Sequence, residues 1–236
     1  MVFNLHNYMK LLQKFQNDDY KIYPLGVLDK PKLKNQILLR HDVDFDVSMA
    51  LKMATIEAKN NIQSSYYFLL RSNSYNFFSF ETLDQIQSIK KLGHNIGLHF
   101  DASIYEDVKK GLKEELKLFE NISKQKQTFI TIHRPSKEFT QDNINLGRIR
   151  HSYESIYFKK IDYFSDSGGA FSYGLPQDSE GYAKRKTFQF LTHPIWWTTK
   201  GKNNIKKLKA FQRDKGKELS SHIAKNCLPW KDYLSE

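Results

Sequence analysis

One cysteine, Cys227, stands in 236 residues, so no disulfide can form within the chain and its stability has to come from a core. Such sparse cysteine fits a reducing compartment, and a cytoplasmic location is expected. No stretch approaches the roughly 18 consecutive apolar residues of a membrane helix, which excludes a spanning segment. The opening residues, Met1-Val2-Phe3-Asn4-Leu5-His6-Asn7-Tyr8, lack the basic start, apolar run and small-residue cleavage site of a secretory leader, so no secretion is expected. Internal repeats and low-complexity linkers are also missing, and a single domain over 1–236 is expected.

What is present is apolar enough to fold. Hydrophobic residues make up 39% and aromatics 14%, which excludes a disordered chain. The formal charge of +11 suits an anionic partner such as nucleic acid, a phosphorylated or uronic sugar, or a lipid headgroup. Its densest basic run, 200–217, reads as a C-terminal helix with a solvated face, with peripheral membrane contact left open. Aromatics are not interleaved with that run as a single-strand platform would need, so no nucleic acid is expected.

The hydrophobic pattern alternates strands with helices. Gln36-Ile37-Leu38-Leu39 reads as a buried strand delivering Arg40-His41-Asp42-Val43-Asp44 at its C-terminal end, after which Asp46 can cap a helix with Val47, Ala50, Leu51, Ala54 and Ala58 on one stripe. Ser64 to Leu70 predicts a second strand, closed by Arg71-Ser72-Asn73. Ser79 opens a helix expected to face Phe80, Leu83, Ile86 and Ile89 inward and to end at Gly93. Further strands are predicted over 95–100, 127–132, 162–165 and 187–192, with a helix over 105–122. The stretch 136–161 has weak periodicity and no element is drawn there. Strands separated by helices predict a parallel sheet, and polar clusters at nearly every strand end favour a distorted (β/α) barrel of about seven strands over an open sheet.

Those clusters carry the chemistry. Asp42 and Asp44 sit two apart, so in an extended strand both carboxylates share a face; a metal ion would relieve their repulsion by taking one as a ligand and leaving the other as a base. A cap or loop pair is the plainer alternative. His99 falls where a strand meets a loop. His133-Arg134-Pro135 ends another strand with a guanidinium able to hold a carboxylate or a substrate anion. Asp166 stands before Ser167-Gly168-Gly169, where glycines allow close approach to a ligand but suit a plain turn equally. His193-Pro194-Ile195-Trp196-Trp197 joins a titratable imidazole to aromatics that can stack on sugar rings or simply fill a core.

Taken together and in this order, from Ile37 to Trp197, the clusters resemble the polysaccharide deacetylases, the NodB-like carbohydrate esterases of family 4. The resemblance implies that Asp42 is the general base and Asp44 a metal ligand. Gly93 to His99 is similar to the family's Gly-His-Glu-Ile-Gly-x-His run, which implies that His99 is a ligand. Leu191-Thr192-His193 matches the late Leu-x-His motif and implies a general acid at His193. The Asp166 segment resembles the motif that lines the site and orients an arginine. The longer forms Arg-His-Asp-Val-Asp, His-Arg-Pro-Ser and His-Pro-x-Trp-Trp look like the branch associated with O-antigen and capsule synthesis.

One departure stands out: the family places a second histidine four residues after the first, and here that position is Ser103. His133 and Asp101 are the candidate third ligands. His133 is preferred because it ends a neighbouring strand and imidazole suits zinc. The expected cofactor is thus one divalent ion, zinc first. The expected partner is an amino-sugar glycan, a nucleotide sugar or a lipid-linked sugar, held or oriented by Arg71, Asp101, Arg134, Asp166 and Trp197. The competing classes are a sugar-binding protein of the same fold without catalysis and a metal hydrolase for another C–N bond.

Overall fold

The computed structural model describes residues 2–28, 30–141, 144–172 and 174–234. Residue 1 of the opening segment and residues 142 and 143 of the undrawn stretch lie outside them. Helix α1 (Leu5–Asn17) starts where the Asn4 side chain accepts a hydrogen bond from Asn7 N, and it buries Tyr8, Leu11, Leu12 and Phe15. Strand β1 (Lys21–Pro24) follows. Neither element is among those expected from the pattern.

Strand β2 (Gln36–Val43) runs on through Arg40, His41 and Asp42, all buried, well beyond its apolar start. Asp46 caps α2 (Val47–Lys59), which buries Val47, Ala50, Met53, Ala54 and Glu57 and leaves Leu51 and Ala58 half-buried. β3 (Ser65–Leu69) leads to α3 (Phe80–Lys91), capped by Ser79 and ended at Gly93, whose φ is +93°. The expectation for Phe80 fails, since it is 89% exposed. The buried set is Thr82, Ile86 and Ile89, and Phe80 lies about 200° round the helix from Thr82.

β4 (Asn95–Asp101) is followed by α4 (Val108–Ser123), which begins three residues later than expected. Asp107 caps it, while Tyr105 stays outside, stacks on Phe100 with ring centroids 5.5 Å apart, and is covered on the Arg71 side by a cation–π contact of 5.6 Å. The Tyr105 ring lies so close to Gly111 that a Cβ there would sit 2.3 Å from it. Next come β5 (Phe129–His133), α5 (Lys137–Thr140), β6 (Arg150–His151), α6 (Ser155–Phe158) and β7 (Asp162–Ser165). The chain ends with α7 (Glu180–Ala183), β8 (Phe188–Thr192), α8 (Pro194–Thr198), α9 (Asn204–Asn226) and α10 (Leu228–Tyr233). No helix among the described residues is long and apolar enough to cross a membrane.

The sheet is parallel throughout, in the order β6-β5-β4-β3-β2-β8-β7, and it curls into a half-barrel flanked by helices. β1 pairs with Gln36 to Leu39 on the edge of β2 that β3 takes over from Arg40 onward. Alternation along each strand sends Ile37, Leu39, Phe68, Leu98, Ile130 and Phe190 into the layer under the helices. The opposite face fills the interior: Leu38, Tyr67 and Phe129 pack near its base with Tyr157 of α6. Polar side chains lie above them, toward the C-terminal strand ends. Helix α9 closes one side through Phe211 against Phe45 and an ion pair between Lys215 and Asp46. Lys207, buried, donates to Thr199 O. The basic run is therefore docked at two lysines rather than solvated along its whole length.

Candidate metal centre

The C-terminal ends of β2, β4 and β5 bring Asp44, His99 and His133 together, each offering a ligand atom within 4.8 Å of the others. His99 Nε2 lies 3.3 Å from Asp44 Oδ1 and 3.2 Å from His133 Nδ1, and His133 Nδ1 lies 3.6 Å from Asp44 Oδ1. Tetrahedral zinc with bonds near 2.0–2.1 Å would space its ligand atoms about 3.3 Å apart. Asp44 Oδ1 is buried and accepts no hydrogen bond among the described residues. A buried carboxylate oxygen facing two imidazole nitrogens fits a divalent ion and is costly without one. Burial opposes ionisation of Asp44, but the close approach of the His99 imidazole and the neighbouring His193 and His133 outweigh it and hold its carboxyl well below the usual range. Burial and the neighbouring His99 push His133 down, which favours the neutral form that a ligand needs.

Supporting contacts fix this geometry. The Thr131 hydroxyl is 2.7 Å from His99 Nδ1 and donates to Asp42 Oδ1 at 3.3 Å. With its Nδ1 proton given to Thr131, His99 presents the Nε2 lone pair to the centre. Asp42 is 3% exposed, with Oδ2 3.8 Å from His99 Nε2 and 3.5 Å from Arg40 Nη2. Neither Thr131 nor Arg40 was singled out from the sequence. Arg40 left a trace, a charge at an inward position of a fully buried strand; Thr131 left none.

Asp101 does not join the cluster. Its Oδ1 accepts from the backbone N–H of Ser103 at 3.0 Å and from the Ser103 hydroxyl, and its Oδ2 lies 4.0 Å from His133 Nε2. Ser103 thus serves to turn Asp101.

On the far side of the site, Asp166 accepts from His193 N, from His193 Nδ1 at 2.7 Å, and from Trp197 Nε1 at 2.7 Å. Burial alone would lower the His193 pKa, but the Asp166 carboxylate outweighs it and raises it to about 9. Two expectations are corrected here. Asp166 orients His193 and not an arginine. Trp197 does not line the cleft: it is 1% exposed, packed on Phe3 and Tyr8, and its N–H is committed to Asp166. The buried indole meets its need for an acceptor at the Asp166 carboxylate. Trp196 is the tryptophan that lines the cleft.

The cleft measures about 540 Å³ and is lined by Asp42, Asp44, His99, His133 and His193, with Arg71, Asp101 and Arg134 on its walls. Arg71 Nε donates to Tyr105 Oη at 2.7 Å and lies 3.5 Å from Glu115. Arg134 is exposed, with φ +45°. The arrangement can hold a divalent ion beside a carboxylate free to accept a proton and a charged imidazole free to donate one.

No protein-family profile matches the chain, and no curated protein matches its sequence. Solved structures do. A chitin deacetylase from the fungal pathogen Colletotrichum lindemuthianum is 16% identical with TM-score 0.36, over 47% of this chain and 51% of that one. This chain therefore spans about half of that protein. A family 4 carbohydrate esterase from Bacillus anthracis is 16% identical with TM-score 0.45, over 89% and 86% of the two chains. A family 4 pseudoenzyme from the same organism is 13% identical with TM-score 0.43, over 82% and 65%. Likeness at this level identifies no activity, and enzymes and a pseudoenzyme stand side by side in it.

Proposed function

We propose that this protein is a metal-dependent N-deacetylase that hydrolyses the acetamido group of an amino sugar in a bacterial surface polysaccharide or its precursor. A nucleotide- or lipid-linked sugar of O-antigen or capsule synthesis, met in the cytoplasm, is the proposed setting. The observation that carries the reading is the meeting, in one cleft, of the Asp44, His99 and His133 ligand set with a separate carboxylate, Asp42, and a separate charged imidazole, His193. A sugar-binding protein without catalysis would have no use for an acid held charged opposite a base.

A divalent ion, zinc first, would be held by Asp44, His99 and His133, and would supply Lewis acidity toward the amide carbonyl. Asp42 accepts the proton of the attacking water, its carboxylate kept in place by Thr131 and by the charge of Arg40. The water oxygen bonds to the carbonyl carbon. His193, with Nδ1 committed to Asp166, faces the site through Nε2, 3.8 Å from Asp44 Oδ2. It gives its proton to the departing nitrogen as the C–N bond breaks, leaving acetate and a free amine. The test is acetate release from a panel of N-acetylated nucleotide sugars and surface glycans, with and without added metal. Acetate that appears only with metal supports the reading; none from any substrate, with no zinc, cobalt or nickel retained, overturns it.

A further inference from the structure

Arg40 projects from β2 into the half-barrel two residues before Asp42, and therefore from the same face of the strand. Its side chain is wholly buried, and none of its three nitrogens has a hydrogen-bond partner among the described residues. Its contacts are the 3.5 Å approach of Nη2 to Asp42 Oδ2 and the Tyr153 ring, 5.7 Å from Cζ. Burial works against the guanidinium's charge, but Asp42 more than restores it. Such a charge is expensive to keep inside a fold, and an apolar side chain of similar length would commonly serve stability as well or better. Arg134, the arginine expected to hold a carboxylate, has no ion pair among the described residues. Asp42 and Asp44 both lie within 4 Å of His99 Nε2, so either carboxylate is within reach of an ion held there.

We propose that Arg40 is the positioning residue that decides which of the two aspartates stays free: it draws the Asp42 carboxylate inward, out of the ligand set, and so keeps it available as a base. This rests on the metal-hydrolase reading above. Three oxygen and nitrogen donors remain for the ion, and Asp42 is left to exchange a proton. Without the guanidinium, the long Thr131 hydrogen bond at 3.3 Å is what is left to oppose the swing of Asp42 onto the ion as a fourth protein ligand.

Zinc affinity, by competition with a chelator, and acetate release are measured for the wild type, Arg40→Met, Asp42→Asn and the double variant. Arg40→Met should bind zinc about tenfold more tightly while turnover falls about 100-fold or more, in kcat rather than KM. The gain in affinity should vanish in the Asp42→Asn background, and Arg40→Lys should restore part of the turnover. Wild-type affinity in Arg40→Met, or an equal gain with and without Asp42, overturns the proposal, the latter because it would be a through-space charge effect. Should Arg40→Met not fold, Arg40→Gln and the charge-free double variant carry the same comparison. If no substrate yields acetate, the deacetylase reading fails, and the zinc titrations still decide the role of Arg40.

Discussion

The two faces of β2 each bury a polar cluster, and the clusters differ in one respect. On the outer face, Glu57 accepts hydrogen bonds from Tyr8, His41, Ser64 and Tyr66, with His94 3.7 Å away. Burial opposes its ionisation, yet His41 and these donors lower its pKa to about 2. On the inner face, Asp44 Oδ1 has no donor and His99 Nε2 points at it. Both clusters combine histidines with a buried carboxylate. A saturated carboxylate ties elements together, here α1, α2, β2 and β3, whereas an unsaturated one at a strand end waits for a ligand. Histidine and acid content alone does not separate the two; counting donors does.

Breaking the outer cluster should have the largest effect on stability. Glu57→Ala removes the acceptor that Tyr8, His41, Ser64 and Tyr66 share in the core and should cost about 3–5 kcal/mol in denaturant unfolding. Asp44→Asn in the metal-free protein should cost less, since it leaves no set of committed donors stranded in the core. Equal losses would erase the distinction between the clusters. Within the inner cluster, His133→Ala should weaken zinc binding more than about 100-fold, or about 2.7 kcal/mol, and Asp101→Ala less than about tenfold. If Asp101→Ala is the more damaging of the two, the third ligand is Asp101.

A smaller effect links His193 to pH. Its folded pKa is raised above the ordinary value of about 6.5 to about 9, so its stabilising contribution is complete below the ordinary value and lost as pH rises through 9. Unfolding free energy of the metal-free protein should therefore fall by on the order of 2 kcal/mol more in wild type than in His193→Asn between pH 6 and pH 10. Parallel curves would remove the Asp166–His193 pair as the source. The smallest effect is expected on α3, where exposed Phe80→Ser should change stability by less than about 0.5 kcal/mol. A loss above about 2 kcal/mol would restore the inward placement first expected for that ring.

Much of the fold was legible because its signals are local. Apolar runs ending in polar clusters marked β2, β3, β4, β5, β7 and β8, and Asp46, Ser79 and Gly93 marked helix ends. The stretch 136–161 stayed blank because α5, β6 and α6 are too short to develop a period. α1 carries a clear apolar stripe, but its start overlaps the residues that bear on a leader, where a missing apolar run says nothing of a helix. Trp197 is expected against the substrate because adjacency to Trp196 says nothing of which indole points inward.

By itself, the sequence determined the parallel α/β layout and which residue types stand at the strand ends, since alternation, capping and turn chemistry act within a few residues. Tertiary structure alone decided how those ends meet. The curl of the sheet sets His133 against His99 and Asp44 across three strands and closes Asp166 on His193 and Trp197. It also seats the Arg40 charge beneath Asp42. The meetings at Asp44 and at Asp166 join residues tens of positions apart, and those distances follow from the curvature of the sheet rather than from any local preference.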